Sequence, residues 1–290
     1  YHSTEAKTFL GTTIAAQSSS DPAGSLAAAL DAIAAHPNVG PFIGRQLIQR
    51  LVTSNPSPEY VAAVSRAFAN NGSGVRGDLK AVVAAVLMHP EARRQSDTAG
   101  KVREPVLRLS ALLRAFPYAS ETGRWRVGNT DNPATSLGQT PLRSPSVFNF
   151  YRPGYVAPGT ASGNAGLVAP ELQIAHETSA AGYVNYLRDA LSFGIGATNT
   201  TSNRRDVQAD FSAELALADQ PAALVDRVAG KLAYGGAGTA LKTEIADAIA
   251  KIAIPAATGS NQAQIDTAKR NRVNAAILLV LASPEFLVQK

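Results

Sequence analysis

Residues 79–92 read L-K-A-V-V-A-A-V-L-M-H-P-E-A, and residues 273–286 read V-N-A-A-I-L-L-V-L-A-S-P-E-F. The two stretches align without gaps, with five identical positions and exchanges between apolar residues at most of the others. Each is too long and too rich in alanine and leucine for a typical strand, and each stops at a Pro-Glu pair. Because proline lacks the N–H that would continue a helix, this pattern predicts two buried helices with the same type of end.

Each stretch also follows a helix that is predicted to begin at a proline. These earlier helices start at Pro58 and Pro221, and the second copy carries an extra predicted helix in between. The pattern fits either a duplicated two-helix unit or two ordinary alanine-rich helices that share a proline stop.

Helical periodicity extends outward from these stretches in both directions. Asp21 is predicted to cap a helix with Pro22 in its first turn, and Leu26, Leu30 and Ile33 then line one face. Further helices are predicted at about 43–51, 104–116, 170–193, 204–218, 221–234, 239–254 and 262–282.

The periodicity disappears between positions 117 and 169, a stretch much longer than the about 4 to 6 residues of a typical loop. The sequence therefore predicts an all-α, mainly helical bundle with one long irregular, aromatic-rich insertion. The predicted organisation is an N-terminal arm (1–20), a first helical unit (21–116), the insertion (117–169) and a second helical unit (170–290), with the two helical units packed as one domain.

The composition excludes several classes of protein. The 290 residues are 45% hydrophobic and only 17% charged, which is typical of a globular protein with a packed core. Cysteine is absent, so disulfides and thiolate chemistry are excluded. No run approaches the about 18 apolar residues that span a bilayer, so no membrane span is predicted. The first residue is Tyr1, so we expect a processed chain or a fragment of a longer protein.

The net charge of +5 comes from one region. Residues 91–152 hold ten Lys and Arg against five Asp and Glu, and the rest of the chain is balanced. Arginines interleaved with aromatic residues suit sugars, carboxylates or sulfates, although the same residues also serve as ion-paired and core side chains. Nucleic acid would use the same mixture but is not favoured. The candidate ligand-binding residues are Arg103, Arg124, Trp125, Arg126, Asn149, Tyr151, Arg152 and Tyr155.

Catalytic signatures are sparse. The four histidines form no zinc-binding pair, and no G-x-S-x-G motif is present, so no metal or cofactor is expected. An alternative enzymatic hypothesis takes Glu104, Glu171 or His176 as acid or base, with Arg103 or Arg152 holding an anionic group. His176 can equally be a structural residue between helices.

Five strings together resemble one known family. They are Y-H-S-T-E-A-K-T-F-L-G (1–11), H-P-N-V-G-P-F-I-G-R-Q-L-I-Q-R-L-V (36–52), G-K-V-R-E-P-V-L-R-L (100–109), S-P-S-V-F-N-F-Y-R-P-G-Y (144–155) and A-P-E-L-Q-I (169–174). The chain thereby resembles the C-terminal part of a longer member of the bacterial domain-of-unknown-function 1800 family, and the resemblance runs through nearly its whole length.

The resemblance implies a periplasmic or secreted protein, with a partner that resembles sulfatases. It implies no established activity. Together with the residues, it favours a noncatalytic envelope or secreted protein that recognises a partner protein or an anionic glycan. The alternative is a hydrolase or lyase that acts on polysaccharide.

Overall fold

A computed structural model describes residues 2–94 and 100–289. Contacts divide the chain into two compact units, Tyr1–Lys101 and Val102–Lys290. Helices predominate in both units and strands are short, so the predicted mainly helical fold is confirmed.

The first unit is a small helical body with an N-terminal hairpin. Strands β1 and β2 pair antiparallel, with Lys7 opposite Ile14. In chain order the elements are β1 (Lys7–Phe9), β2 (Thr12–Ile14), α1 (Pro22–Ala35), α2 (Val39–Leu51), α3 (Pro58–Ala69), α4 (Leu79–Met88) and α5 (Pro90–Arg93).

Helices α2, α3 and α4 build the core of the first unit. A Cβ atom on Gly44 would lie 3.0 Å from a methyl group of Val64, so the absence of a side chain lets α2 approach α3 closely. The buried Tyr60 donates its hydroxyl to the Val86 carbonyl of α4. The fully or nearly buried core residues are Ile48, Tyr60, Val64, Phe68, Val82 and Val86.

Helix α1 begins as predicted, since the Asp21 side chain accepts the N–H of Gly24 and Pro22 opens the helix. Its apolar face, however, is exposed. Leu26, Leu30 and Ile33 are each at least half exposed, so their regular spacing marks one face of the helix but not a buried one.

The second unit is larger and carries a three-stranded sheet beside its helices. Strand β3 (Lys101–Val102) spans the boundary between the two units along the chain. The elements that follow are α6 (Pro105–Ala115), β4 (Tyr118–Ser120), α7 (Ala161–Asn164), a 3-10 helix (Pro170–Ile174), α8 (Glu177–Phe193), β5 (Ile195–Thr198), β6 (Arg205–Ala209), α9 (Ser212–Leu215), α10 (Pro221–Ala233), α11 (Thr239–Ala250), α12 (Gln262–Ala282), α13 (Pro284–Leu287) and β7 (Val288–Gln289).

The core of this unit lies where α8, α10, α11 and α12 meet. Leu187 of α8, Leu224 of α10, Ile249 of α11 and Ile277 of α12 are completely buried there. Tyr183 donates its hydroxyl to the Leu281 carbonyl and so joins α8 to α12. Apolar side chains from four helices therefore build this core.

The three-stranded sheet has the order β4-β6-β5, and both pairs are antiparallel. It overturns one prediction, because the helix expected at 204–218 is a strand followed by the single turn of α9. Val207 of β6 pairs with Ser120 on one side and with Ile195 on the other, and it is fully buried. Pairing on both sides outweighs the helical propensity of the following alanines.

The helix predicted at 170–193 is also interrupted. It divides into the 3-10 helix and α8, because the His176 side chain accepts the N–H of Ser179 and caps α8. Residues 121–160 contain no helix or strand.

The two stretches that predicted the fold end in the same way. His89 caps α5 and Ser283 caps α13, and each of these short helices opens with proline. Helix α11 is the extra helix predicted in the second copy. Within residues 2–94 and 100–289, no helix is long and apolar enough to cross a membrane.

Candidate functional site

The candidate site is a short segment that lies across the end of the three-stranded sheet. We call residues 121–127, which follow β4 directly, the strap. The N–H of Glu121 bonds to the Asp206 carbonyl on β6, and the carbonyl of Arg126 accepts the N–H of Ala197 on β5. The strap is therefore tied to both of the other strands.

A buried carboxylate organises the strap from below. Asp206 is 1% exposed, and its side chain accepts the backbone N–H of Thr122 at 2.9 Å, the N–H of Arg126 at 2.8 Å and the Ser120 hydroxyl at 2.8 Å. Burial alone would raise the pKa of Asp206, but these hydrogen bonds outweigh it and hold the pKa well below its usual range. The carboxylate stays ionised and fixes the course of the strap.

The same network holds Trp125 in an unusual conformation. Its φ is 50°, in the left-handed region that a bulky residue rarely adopts, at a cost of about 1–3 kcal/mol. Its N–H donates to the Ser120 hydroxyl, which itself donates to Asp206. The indole nevertheless remains half exposed. Backbone strain of this kind is found more often at functional sites, which makes the strap a candidate.

The arginines beside Trp125 differ from Arg204 and Arg205, which lie just before and at the start of β6. Arg204 donates to the Gln208 side chain, and Arg205 donates to the Gly194 carbonyl. By contrast, the exposed guanidinium groups of Arg124 and Arg126 have no hydrogen-bond or ion-pair partner among the described residues. The strap therefore offers two unpaired cations on either side of an exposed indole in the sequence.

The strap carries two arginines and one glutamate, and both carboxylates near it already accept hydrogen bonds from protein groups. The Glu121 carboxylate accepts the Ser202 hydroxyl from the loop between β5 and β6, and Asp206 is fully occupied below the strap. Because Arg124 and Arg126 have no ion-pair partner among the described residues, they can donate hydrogen bonds to an oxyanion without breaking an existing ion pair.

The other predicted residues lie elsewhere in the second unit. Tyr151 is buried and donates its hydroxyl to the Glu104 carboxylate at 2.8 Å, and the same carboxylate oxygen accepts the Gln139 amide at 2.6 Å. Gln139 in turn accepts the N–H of Val106 in the first turn of α6. This arrangement fastens the 151 segment to the start of α6 and leaves Tyr151 shielded from a ligand.

Arg152 is exposed, and its guanidinium lies 6.0 Å from the ring centre of Phe148. The backbone N–H of Arg152 donates to the Gln173 side chain. Asn149 has a φ of 69°, and the Tyr155 carbonyl accepts the N–H of Ala169. Within the described ranges, no hydrogen bond, ion pair or ring contact joins this segment to the strap, so the predicted residues form separate groups.

Arg103 belongs to a third group. Its guanidinium stacks over Phe286, with 4.4 Å between the guanidinium carbon and the ring centre. Arg108, one turn into α6, lies over Tyr183 at 5.0 Å and donates its Nε–H to the Arg103 carbonyl.

Each of the three catalytic candidates is hydrogen-bonded, buried or part of a helix cap. Glu104 accepts two hydrogen bonds, Glu171 is 2% exposed in the 3-10 helix, and His176 caps α8. Over the described ranges 2–94 and 100–289, no three His, Asp or Glu side chains are placed to hold a metal ion.

Sequence reasoning missed Asp206 and Arg108. Asp206 was assigned to a helix, whereas the turn-forming run N-T-T-S-N-R (199–204) between I-G-A-T and R-D-V-Q-A is a hairpin signal that could have placed it on a strand. For Arg108 no local signal exists, because its role depends on Tyr183, which is 75 positions away.

Comparison with known proteins gives one match. The family model described as "Protein of unknown function (DUF1800)" matches residues 1–288. No curated protein and no solved structure matches the chain.

Proposed function

The chain belongs to the DUF1800 family of proteins of unknown function, and we propose that it is a noncatalytic binding protein that recognises an anionic glycan through the strap. The observation that carries the proposal is the exposed Trp125, held in a left-handed conformation by buried Asp206, with the unpaired Arg124 and Arg126 next to it.

The chemistry of the three side chains fits such a ligand. The indole of Trp125 offers a flat apolar face for the C–H groups of a sugar ring. The guanidinium groups of Arg124 and Arg126 can each donate two parallel hydrogen bonds to a sulfate or carboxylate group. Because the backbone of the strap is already fixed by Asp206, little conformational freedom is lost when a ligand binds.

Binding is favoured over catalysis because the strap lacks an acid–base pair. Glycoside hydrolysis in most families uses two carboxyl groups on either side of the bond that is cut. The two carboxylates at the strap, Glu121 and Asp206, already accept hydrogen bonds from protein groups, and the pKa of Asp206 is held low rather than raised toward neutrality.

The proposed setting is the periplasm or the outside of the cell, as the family resemblance implies. A partner that resembles sulfatases would act on the same class of polymer. Fractionation of cells that express the full-length gene, followed by detection of the chain, tests this setting directly. Retention of the chain in the cytoplasm would contradict it.

Fluorescence of Trp125 provides a direct binding assay, because it is the only tryptophan in the sequence. We expect a sulfated or uronic-acid oligosaccharide to change its emission, whereas a neutral oligosaccharide of equal length binds much more weakly. Each lost charge-assisted hydrogen bond corresponds to about 1.5–3 kcal/mol, so Arg124→Ala and Arg126→Ala should each weaken binding at least about tenfold. Because Trp125→Ala removes the fluorophore, its loss of affinity is measured by calorimetric titration.

Arg188→Ala is the matched control. It removes one positive charge from an exposed arginine of α8 that lies next to Asp189, away from the strap in sequence. We expect it to bind like the unmodified protein. Equal weakening by Arg188→Ala and Arg124→Ala would show nonspecific attraction to net charge. Equal affinity for a single-stranded oligonucleotide of the same charge would point to nucleic acid instead.

A further inference from the structure

Arg103 and Arg108 form a pair of arginines at the start of α6, in a group separate from the strap. The Arg108 Nε–H donates to the main-chain carbonyl of Arg103 at 2.6 Å, which ties the Arg108 side chain to the backbone at Arg103. Each guanidinium lies over an aromatic ring, Arg103 over Phe286 at 4.4 Å and Arg108 over Tyr183 at 5.0 Å. The rings are immobile, because Phe286 is completely buried and Tyr183 is tied to the Leu281 carbonyl.

The pair lacks a counter-charge. In the described part of the chain, no carboxylate lies within ion-pairing distance of either guanidinium. The Nη1 atom of Arg103 is buried and has no hydrogen-bond partner among these residues. A buried cation without a partner is costly, and two cations held close together add their mutual repulsion.

The surroundings of the pair lower the pKa of both guanidinium groups. Burial lowers the pKa of Arg103, while the nearby hydroxyl groups of Tyr234 and Tyr183 act in the opposite direction. Burial also lowers the pKa of Arg108, and the positive charge of Arg103 lowers it further. Both groups remain charged at neutral pH because arginine begins from a very high pKa.

We infer that Arg103 and Arg108 bind a small oxyanion, namely a sulfate, phosphate or carboxylate group. Such a group would lie against the partly exposed Arg103 and Arg108 side chains and would neutralise the repulsion between the two arginines. Arg103 and Arg108 are each only partly covered, and the exposed Tyr234 is near enough to interact electrostatically with Arg103. Tyr234 can add a hydroxyl donor, and its φ of 50° is again a left-handed conformation.

The oxyanion can come from free inorganic anions or from the acidic group of a sugar, and the test separates these sources. The melting temperature of the protein is measured with sulfate, phosphate or glucuronate against sodium chloride of equal ionic strength. We expect saturating sulfate or phosphate to raise Tm by about 2–4 °C in the unmodified protein. A larger rise with glucuronate than with the inorganic ions would identify a sugar acid as the source.

Arg103→Gln is the decisive variant. It should lose the anion-dependent rise in Tm and, in sodium chloride alone, should be at least as stable as the unmodified protein because the repulsion is removed. If Arg103→Gln does not fold, Arg103→Lys keeps the charge but not the planar fork, and we expect it to bind sulfate about tenfold more weakly. An equal rise in Tm in the unmodified protein and in the folded Arg103 variants would overturn the proposal, because it would reflect general salting effects.

The strap provides the control. The double variant Arg124→Ala/Arg126→Ala should keep the full anion-dependent rise in Tm although it no longer binds the glycan. If the double variant loses both effects, the anion acts at the strap and the Arg103 proposal fails. If it loses neither effect, the proposed function fails while the Arg103 site stands.

Discussion

The carboxylate of Asp206 accepts the backbone N–H of Arg126 at 2.8 Å, although the two residues are 80 positions apart. One carboxylate on a central strand thereby fixes the segment that carries two arginines and the only tryptophan of the chain. If this relationship builds the site, changes beneath the strap should alter binding without touching a ligand.

Asp206→Asn tests this relationship. An amide of nearly equal size loses the negative charge that accepts three hydrogen bonds, so the strap should loosen, Trp125 emission should shift to longer wavelength and glycan affinity should fall about tenfold. Fluorescence spectra and calorimetric titration check both outcomes. The exposed Asp226, which pairs with Lys242, offers the control Asp226→Asn, which should change neither. Unchanged emission and affinity in Asp206→Asn would contradict this account of the strap.

The pH dependence of stability follows from the direction of the Asp206 pKa shift. Because the pKa of this carboxyl is lowered in the folded protein, its contribution to stability is fully present above the ordinary aspartate pKa of about 3.9. That contribution decreases as the pH falls below this value toward the folded pKa. The urea midpoint of the unmodified protein should therefore exceed that of Asp206→Asn by a constant amount from pH 7 to 5. The difference should shrink in stronger acid, and a difference that grows in acid would exclude this linkage.

Gly196 tests the attachment of the strap to β5. A Cβ atom at this position would lie 1.9 Å from the Arg126 carbonyl oxygen, and its φ of 90° already disfavours a side chain. Gly196→Ala should displace the strap and lower the free energy of unfolding by about 2–4 kcal/mol.

Gly235→Ala separates the effect of backbone strain from the effect of a steric clash with Arg126. Gly235 has nearly the same φ, 88°, but open space where the Cβ would lie. We expect Gly235→Ala to lower the free energy of unfolding by only about 1 kcal/mol and to leave glycan binding normal. Urea titration followed by circular dichroism gives both values. Equal losses at the two glycines would mean that the Arg126 contact has no part in the effect.

Tyr151 and Arg152 are adjacent but should behave in opposite ways. Tyr151→Phe removes a buried hydroxyl that donates to Glu104 and should cost about 1–2 kcal/mol of stability. Arg152→Ala changes an exposed side chain and should stay within about 0.5 kcal/mol. Neither change should affect glycan binding at the strap. A selective loss of affinity in Arg152→Ala would move the binding surface to the 149–155 segment.

The sequence predicts the helices of this protein much better than its site. Proline starts and stops, together with apolar spacing, locate α3, α4, α10 and α12, because these signals act within one or two turns of chain. Spacing alone does not tell which face is covered, and so the regular stripe on α1 proves to be exposed.

The site depends on long-range contacts that local patterns do not contain. Arg124, Trp125 and Arg126 were chosen for their chemistry and prove to be exposed, yet only the pairing of β4 with β6 reveals that Asp206 lies beneath them. Tyr151 was chosen on the same grounds but is buried against Glu104. A short strand of a mixed helical fold is weakly encoded, because its hydrogen bonds go to residues far away in the sequence.

The last prediction concerns a buried carboxylate that has a purely structural role. Glu214 of α9 is completely buried, and Arg227 and Lys231 of α10 approach the same carboxylate oxygen at 2.6 and 3.4 Å. Arg227→Ala should cost about 1–3 kcal/mol, since Lys231 remains and the guanidinium is partly exposed. The double variant Arg227→Ala/Lys231→Ala leaves a buried charge without a partner and should cost about 3–5 kcal/mol.

The exposed pair of Lys242 with Asp226 provides the reference for this prediction. Lys242→Ala removes a charge from α11 and should cost at most about 1 kcal/mol, because water already solvates both groups. Urea midpoints measured side by side give the ranking of the three variants. If Arg227→Ala costs no more than Lys242→Ala, burial of Glu214 does not strengthen its ion pair, and α9 is held to α10 by apolar contacts alone.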